Sequence, residues 1–168
     1  RGTGYNFFNG NLWGTAPTAE IETERTGWPS ILATASGREI VLAHSTASNI
    51  VRKSDRNSIG TGTWAQANLT SNSVQVWNRA AVAGPNGNTV HMVGVSAPTA
   101  NGGTLYNGMD GAFLYNRSSN GGLTWDMTDY QIPGTDSSYF SSFDGDSYHM
   151  DALGNTVAIV VGGLGTGV

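Results

Sequence analysis

The stretch Ser118-Ser119-Asn120-Gly121-Gly122-Leu123-Thr124-Trp125 decides the fold of this chain, because it has the composition of a tight turn between two β-strands. Short polar side chains such as those of Ser118 and Asn120 hydrogen-bond nearby backbone amides and stabilise turns. The two glycines that follow accept positive φ angles, and Trp125 can fold back over the turn as the next strand begins. The stretch therefore predicts a β-hairpin.

Three further β-hairpins with a common pattern surround this stretch. Each combines a short strand of small residues, a turn that contains Gly, and a strand rich in β-branched residues. They occupy residues 31–44, 79–94 and 148–161. Their apolar runs are nearly continuous, which predicts strands that are buried on both faces. The longest run, residues 156–161, is expected to be one such buried strand.

The composition favours an all-β protein and excludes several functional classes. The 168 residues suffice for one domain, Gly is abundant (24 residues), and only 12% of residues are charged. No stretch has apolar residues at helical spacing. The net charge of −4 without a cluster of Lys or Arg argues against nucleic acid or an anionic membrane surface as a partner. Without Cys, disulfide and thiolate chemistry are excluded, and no apolar run is long enough to span a membrane.

Residues 118–125 read Ser-x-Asn-x-Gly-x-Thr-Trp and resemble the Asp-box, the hairpin signature of sialidase-like (BNR-like) β-propellers. Asn stands where that motif usually has Asp. The residues that carry the resemblance are Ser118, Asn120, Gly122, Thr124 and Trp125. A degenerate copy spans residues 54–64 and ends in Gly-Thr-Trp. The resemblance covers residues 28–168 and implies an all-β chain, a β-propeller segment built from four-stranded antiparallel blades.

The resemblance also implies a division of the chain. Residues 1–27 would be the end of a preceding blade and a linker, residues 28–76 a blade with the degenerate Asp-box, residues 77–133 a blade with the clear Asp-box, and residues 134–168 the start of a further blade. Closed propellers contain about four to eight blades. We therefore expect the chain to be part of a larger propeller, or to be completed by other subunits.

Candidate catalytic residues are few. A sialidase-like enzyme would need three arginines around a carboxylate, a Tyr/Glu nucleophile pair and an acidic acid/base residue. Arg79, at the start of a first strand, is the arginine best placed for a ligand on the central face. Glycosidases of other Asp-box families use two separated carboxylates, for which Asp144 and Asp146 are the candidates. The same two residues could bind Ca²⁺, or could simply stabilise a turn. No other metal site is predicted.

Aromatic residues in two long loops are candidates for ligand binding. Tyr106 lies in the loop of residues 96–111, and the pair Tyr139 and Phe140 lies in residues 134–147. Long loops tend to carry function, and exposed aromatic rings can stack on sugars. Trp28 and Trp77 each precede a first strand, and we expect them to be packing residues.

The histidines of the hairpin strands are not expected to form a metal site. His44 and His91 follow their turns, whereas His149 precedes its own turn. At these different offsets the three rings would not converge, so we interpret them as ordinary hydrogen-bonded strand residues rather than as metal ligands.

The functional expectation is a non-catalytic β-propeller module for binding, adhesion or assembly. With its turns rich in Asn, Gly and Thr and the run of residues 146–155, the chain resembles exported Bacteroidota propellers of the type IX secretion kind. The resemblance implies a secreted or cell-surface location. Its partners would be the rest of the propeller or other subunits, together with a glycan or a cell-surface protein. The alternative is a glycoside hydrolase, sialidase-like or xyloglucanase-like, whose catalytic residues lie mostly outside this segment.

Overall fold

The structure is a computed structural model and describes residues 2–165. These residues form β-strands, turns and one short 3-10 turn, Thr99–Asn101, with no α-helix among them. The predicted all-β class is therefore confirmed.

Two four-stranded antiparallel sheets share the same strand order, in which each strand pairs with the next one along the chain. Sheet 1 contains β1 (Thr26–Ala33), β2 (Glu39–Ser45), β3 (Val51–Arg56) and β4 (Ala65–Asn68). Sheet 2 contains β5 (Gln75–Ala83), β6 (Thr89–Ser96), β7 (Phe113–Ser118) and β8 (Met127–Gln131). The four-stranded antiparallel sheets expected from the sequence are thus present.

The remaining strands form two smaller pairs. Strands β10 (Tyr148–Leu153) and β11 (Thr156–Val161) make an antiparallel hairpin, called here the third hairpin. Strand β12 (Leu164–Gly165) pairs with β9 (Phe140–Ser142), a pairing that the sequence did not predict.

Sheet 2 lies between sheet 1 and the third hairpin. Val90 and Met92 on one face of β6 pack with Leu42 and other buried residues of sheet 1. Val93 on the opposite face packs with Met150 of the third hairpin, since successive strand residues point to opposite faces. The first strand of sheet 2, β5, contacts both β1 and β10. Within residues 2–165 the sheets do not close into a ring.

Burial of the hairpin strands departs from the sequence prediction. All residues of β2 and nearly all of β6 are buried, as their apolar runs predicted. The prediction was wrong for β1, where Ile31 is 56% exposed. It was also wrong for the third hairpin, where exposed and more buried residues alternate along both β10 and β11. One face of β11 packs on the core beside sheet 2. No part of the described chain covers the other face, so Val160 remains 68% exposed.

The stretch of residues 118–125 joins β7 to β8 and makes the local hydrogen bonds expected of its side chains. Ser118 Oγ accepts a bond from Gly122 N at 2.9 Å, and Asn120 Oδ1 accepts one from Thr124 N at 2.9 Å. Asn120 Nδ2 donates to Thr124 Oγ1 at 2.8 Å. Trp125 packs against the core between sheets 1 and 2. The turn is therefore fixed both by its own polar groups and by the core beneath it.

The same turn is bonded to its neighbours. The carbonyl of Gly122 accepts a bond from Lys53 Nζ at 2.8 Å, which connects it to β3 of sheet 1. Lys53, the single lysine of the chain, is buried and also contacts Asp55 Oδ1 at 2.9 Å. Gly121 N donates to the carbonyl of Asn88 in the turn between β5 and β6, at 2.8 Å. The Lys53 bond connects sheet 1 to sheet 2, and the Gly121 bond connects two turns of sheet 2.

The degenerate stretch of residues 54–64 has a different set of contacts. The guanidinium of Arg56 lies over the rings of Tyr5 and Trp64, at 4.5 and 4.2 Å from their centres. Its Nε donates to the buried carboxylate of Glu39 at 2.7 Å. Cation–π and charge-assisted bonds thereby attach the segment before β1 to sheet 1.

Candidate functional site

The polar candidates predicted from the sequence, Arg79, Asp144 and Asp146, lie in the region where β1, β5 and β10 begin. We call this region the strand-start surface and define it by Trp28, Trp77, Arg79, Asp144 and Asp146. Trp28 lies in β1, Trp77 and Arg79 lie in β5, and the two aspartates lie in the turn before β10.

Two tryptophans occupy equivalent β-bulges in the first strands of sheets 1 and 2. The register of β1 shifts between Gly27 and Ser30, and that of β5 shifts between Val76 and Arg79. Trp28 and Trp77 lie inside these bulges with φ angles of 51° and 54°. Positive φ is uncommon for bulky residues and costs about 1–3 kcal/mol each, and such strain concentrates at functional sites.

The two indole rings are neighbours. Their centres are 6.2 Å apart and their planes meet at 62°, an edge-to-face arrangement. Trp28 is 36% exposed and also lies 5.7 Å from the ring of His44. The bulges therefore place a pair of indoles, one of them substantially exposed, at the beginning of the first strands.

The turn before the third hairpin holds Trp77 in place. A Cβ atom at Gly145 would lie 2.5 Å from Trp77 Cγ, so glycine is required where the indole packs on the turn. The hydroxyl of Tyr148 donates to the carbonyl of Trp77. Burial raises the pKa of Tyr148, which keeps its hydroxyl a donor. Trp77 is thus the fixed member of the indole pair.

Arg79 and Asp146, both candidates from the sequence, lie next to each other in the structure. Arg79 Nη2 lies 3.4 Å from Asp146 Oδ1 and 3.4 Å from the carbonyl of Gly145. The side chains of Arg79 and Asp146 are 26% and 87% exposed. An ion pair with this N–O distance and this solvent exposure contributes little to stability. The guanidinium can therefore donate to further acceptors.

Asp144 takes part in a turn. Its carbonyl accepts bonds from Ser147 Oγ at 2.7 Å and from Ser147 N at 3.2 Å. This arrangement matches the turn alternative for residues 144–146. Across residues 2–165 no group of three or more His, Cys, Asp or Glu side chains is arranged to hold a metal ion, so the Ca²⁺ site suggested for Asp144 and Asp146 has no further ligand of these types nearby.

The aromatic loop candidates have different surroundings. The Tyr106 hydroxyl donates to the carbonyl of Asp129 at 2.7 Å, and its ring packs on the core. The ring of Phe140 lies 4.8 Å from that of Phe143 and packs on the same core. Tyr139 is 60% exposed. Two of the three candidates therefore serve packing, and Tyr139 remains a surface residue.

The histidines lie in three different strands. His44 is buried in β2, and burial lowers its pKa. His91 Nδ1 lies 2.7 Å from the hydroxyl of Tyr115, and burial also lowers the pKa of His91. His149 in β10 is exposed. Burial favours the neutral imidazole at the first two positions.

Sequence reasoning missed a polar hollow at the opposite end of the sheets. It has a volume of about 560 Å³ and lies where the turns β1–β2, β5–β6 and β7–β8 meet. Its lining consists mainly of amide and hydroxyl side chains: Ser36, Pro85, Asn86, Asn88, Thr89, Ser119 and Asn120. These residues come from turns far apart in the sequence, and the richness of those turns in Asn and Ser was the available signal.

The chain matches no protein-family model and no curated protein in the comparisons made with its sequence. Among residues 2–165 there is no helix with the length and hydropathy needed to cross a membrane.

Proposed function

We propose that this chain is a run of β-propeller blades that acts as a non-catalytic binding module, with glycans as its ligands. The observation that carries the proposal is the Trp28–Trp77 pair, held at equivalent bulges next to the loosely paired Arg79. The blade architecture, the absence of catalysis and the ligand class each have separate support.

Repetition supports the blade architecture. Sheets 1 and 2 have the same strand order and the same bulge near the start of the first strand. The first strands β1 and β5 pack together, and β10 adds a third first strand beside β5. Propeller blades are four-stranded sheets that pack face to face around a central channel. The third hairpin would then be the first half of the next blade, and the ring would be completed by further blades or other subunits.

The state of the two acidic candidates supports a non-catalytic role. A glycosidase acid must lie in an environment that keeps it protonated beside the scissile bond. The carboxylate of Asp146 lies almost fully in solvent, and the backbone of Asp144 is engaged in a turn. Neither residue has the enclosed setting that general-acid catalysis requires.

The chemistry of the strand-start surface supports a glycan ligand. Indole faces stack on the apolar faces of sugar rings, and a guanidinium with free donors binds hydroxyl or carboxylate oxygens. Trp28 and Arg79 provide both types of group on neighbouring first strands. Such a module would act outside the cell or at its surface, where it would attach to a glycan-bearing partner.

A binding experiment tests the proposal. The purified chain is applied to a glycan array, and binders are confirmed by calorimetry. We expect Trp28→Ala and Arg79→Met to remove most binding. Trp13→Ala is the matched control, because Trp13 is 69% exposed but lies in the segment before β1. Equal binding by all three variants would overturn the strand-start surface as the site.

The glycoside hydrolase alternative is favoured by one observation, the proximity of Arg79 and Asp146 on the surface where a ligand would bind. It predicts turnover of oligosaccharides that is lost in Asp144→Asn or Asp146→Asn. Hydrolysis of any bound glycan by the unmodified chain would overturn the non-catalytic proposal. Binding without release of shorter sugars supports it.

A further inference from the structure

Five Asn-Gly dipeptides give this chain a set of chemically matched modification sites. The asparagines are Asn9, Asn86, Asn101, Asn107 and Asn120. Asparagine is a thermolabile residue, and it is most reactive before glycine because no side chain hinders the following backbone nitrogen. That nitrogen can attack the side-chain carbon Cγ. The dipeptides are identical, so the fold alone decides which of them react.

Three of the five glycine nitrogens are held by hydrogen bonds. Gly121 N donates to the carbonyl of Asn88 at 2.8 Å, and Gly121 is buried. Gly87 N donates to Gly84 O and Gly102 N donates to Thr99 O, both at 3.0 Å. A nitrogen whose hydrogen is bonded to a carbonyl resists deprotonation and cannot rotate towards Cγ. Asn86, Asn101 and Asn120 are therefore protected by the backbone that follows them.

Asn107 lies in an open two-residue turn. Tyr106 and Met109 exchange two backbone bonds, at 3.0 and 2.9 Å, and close a loop that contains Asn107 and Gly108. Both loop residues are exposed and have positive φ angles, 47° and 80°. Within residues 2–165 Gly108 N makes no hydrogen bond. The side-chain Nδ2 of Asn107 donates to Gln131 Oε1 at 3.0 Å, which leaves the carbonyl side of that amide free.

Asn9 is the second open position. Its Oδ1 accepts bonds from Asn11 N and Leu12 N, both at 2.9 Å, which hold the side-chain carbonyl over the backbone of the turn. Hydrogen bonds to this oxygen also polarise Cγ towards attack. Gly10 is exposed with φ 92°, and its nitrogen has no hydrogen-bond acceptor in the described chain.

We propose that Asn9 and Asn107 are the sites of spontaneous deamidation in the folded protein, and that Asn86, Asn101 and Asn120 are protected. The glycine nitrogen forms a bond to Cγ, the bond from Cγ to Nδ2 breaks, and ammonia leaves with the transferred proton. A five-membered succinimide remains. Water then adds to one of its two carbonyl carbons, and the bond from that carbon to the ring nitrogen breaks. Addition at Cγ yields aspartate, and addition at the backbone carbonyl yields isoaspartate.

The experiment compares folded and unfolded chains of the same sequence. Both are incubated at mildly alkaline pH, the unfolded chain in concentrated urea, and the extent of deamidation at each site is followed by peptide mapping with fragmentation. In the folded chain we expect Asn9 and Asn107 to react at least about fivefold faster than the other three, since one backbone hydrogen bond must break at each protected site. In urea the five rates converge.

Equal rates at all five sites of the folded chain would overturn the proposal, as would Asn120 reacting as fast as Asn107. Asn107→Gln is the assignment control. It removes the signal of one site and leaves the rate at Asn9 unchanged, because no hydrogen bond within residues 2–165 connects the two turns. A change in the rate at Asn9 would show that the sites are not independent and contradict the local explanation.

Discussion

Strands β6 and β11 have similar sequences and opposite surroundings. Both follow a turn that contains Gly and Asn, and both are rich in β-branched residues. Strand β6 pairs with β5 and β7 and has a core on each face, so that Met92 and Val93 are both fully buried. Strand β11 pairs with β10 and has a core on one face only within the described chain.

An apolar strand sequence shows that both faces of the strand can be buried. Whether each face is buried depends on the sheets or hairpins that pack on it. In β11, Val157, Ile159 and Val161 pack on the core, and Thr156, Ala158 and Val160 lie on the uncovered face. That face has the composition of the faces that β6 buries. Under our proposal it is the face on which the next blade packs.

The largest effect is expected from placing a carboxylate on each strand in turn. Val93→Asp buries a charge without a partner in β6 and should cost at least about 4 kcal/mol of unfolding free energy. Val160→Asp in the 168-residue chain should cost about 1 kcal/mol or less, the loss of strand propensity. Urea denaturation monitored by tryptophan fluorescence measures both. Similar costs would show that the β11 face is covered in solution.

The junction between sheets 1 and 2 should give the next largest effect. Lys53→Met removes a buried ammonium and leaves the carbonyl of Gly122 without its donor, at a cost of about 1–3 kcal/mol. Arg117→Met is the matched control, since its ion pair with Asp126 is exposed and worth at most about 1 kcal/mol. A smaller loss for Lys53→Met than for Arg117→Met would contradict a structural role for the buried lysine.

Substitutions in the turn β7–β8 and in the turn of the third hairpin should change the unfolding free energy by smaller and unequal amounts. Asn120→Ala removes three side-chain hydrogen bonds from the turn between β7 and β8, with an expected cost of about 1–2 kcal/mol. Asn155→Ala, in the exposed turn of the third hairpin, should change stability by less than about 0.5 kcal/mol. The midpoint of thermal unfolding compares them. Equal midpoints for the two variants would argue against side-chain control of the first turn.

Acidification should give the smallest change in unfolding free energy. The change should arise from histidines in β2 and β6, the strands whose residues are almost all buried. The pKa values of His44 in β2 and His91 in β6 are lowered below the ordinary value of 6.5, chiefly by burial. The unfolded chain therefore binds protons first, so stability is complete above about pH 6.5 and falls as the pH decreases through the lowered values. His44→Leu should reduce this fall. Urea midpoints between neutral and mildly acidic pH provide the measurement, and an unchanged pH dependence in His44→Leu would contradict the assignment.

Much of the fold could be predicted from the sequence because the decisive signals were local. The turns at residues 36–38, 84–88 and 153–155 were marked by Gly and Asn, and the structure places hairpin turns there. The pairing of β9 with β12 was out of reach, since strands of two and three residues carry no periodic signal and depend on tertiary contacts. Burial of β11 was overpredicted because only one of its faces packs on a core within the described chain.

The candidate site was harder to predict. Arg79 and Asp146 were identified as separate candidates, and their proximity depends on how β10 packs beside β5. The repeated places of Trp28 and Trp77 before first strands predict packing residues, and Trp77 does pack on the core, whereas Trp28 is 36% exposed. The sequence gives no sign of the positive φ at either tryptophan. The loops of Tyr106 and Phe140 predict a binding surface, but the sequence gives no sign of the Tyr106 bond to Asp129 or of the packing of Phe140 beside Phe143.

The measurement that tests the central claim most directly is an electron cryomicroscopy map of the protein as isolated. We predict a ring in which β1, β5 and β10 line a common axis and a further sheet packs on Thr156, Ala158 and Val160. In that assembly Val160→Asp would become as costly as Val93→Asp. An open stack of two sheets and a hairpin, with solvent over β11, would contradict the propeller proposal.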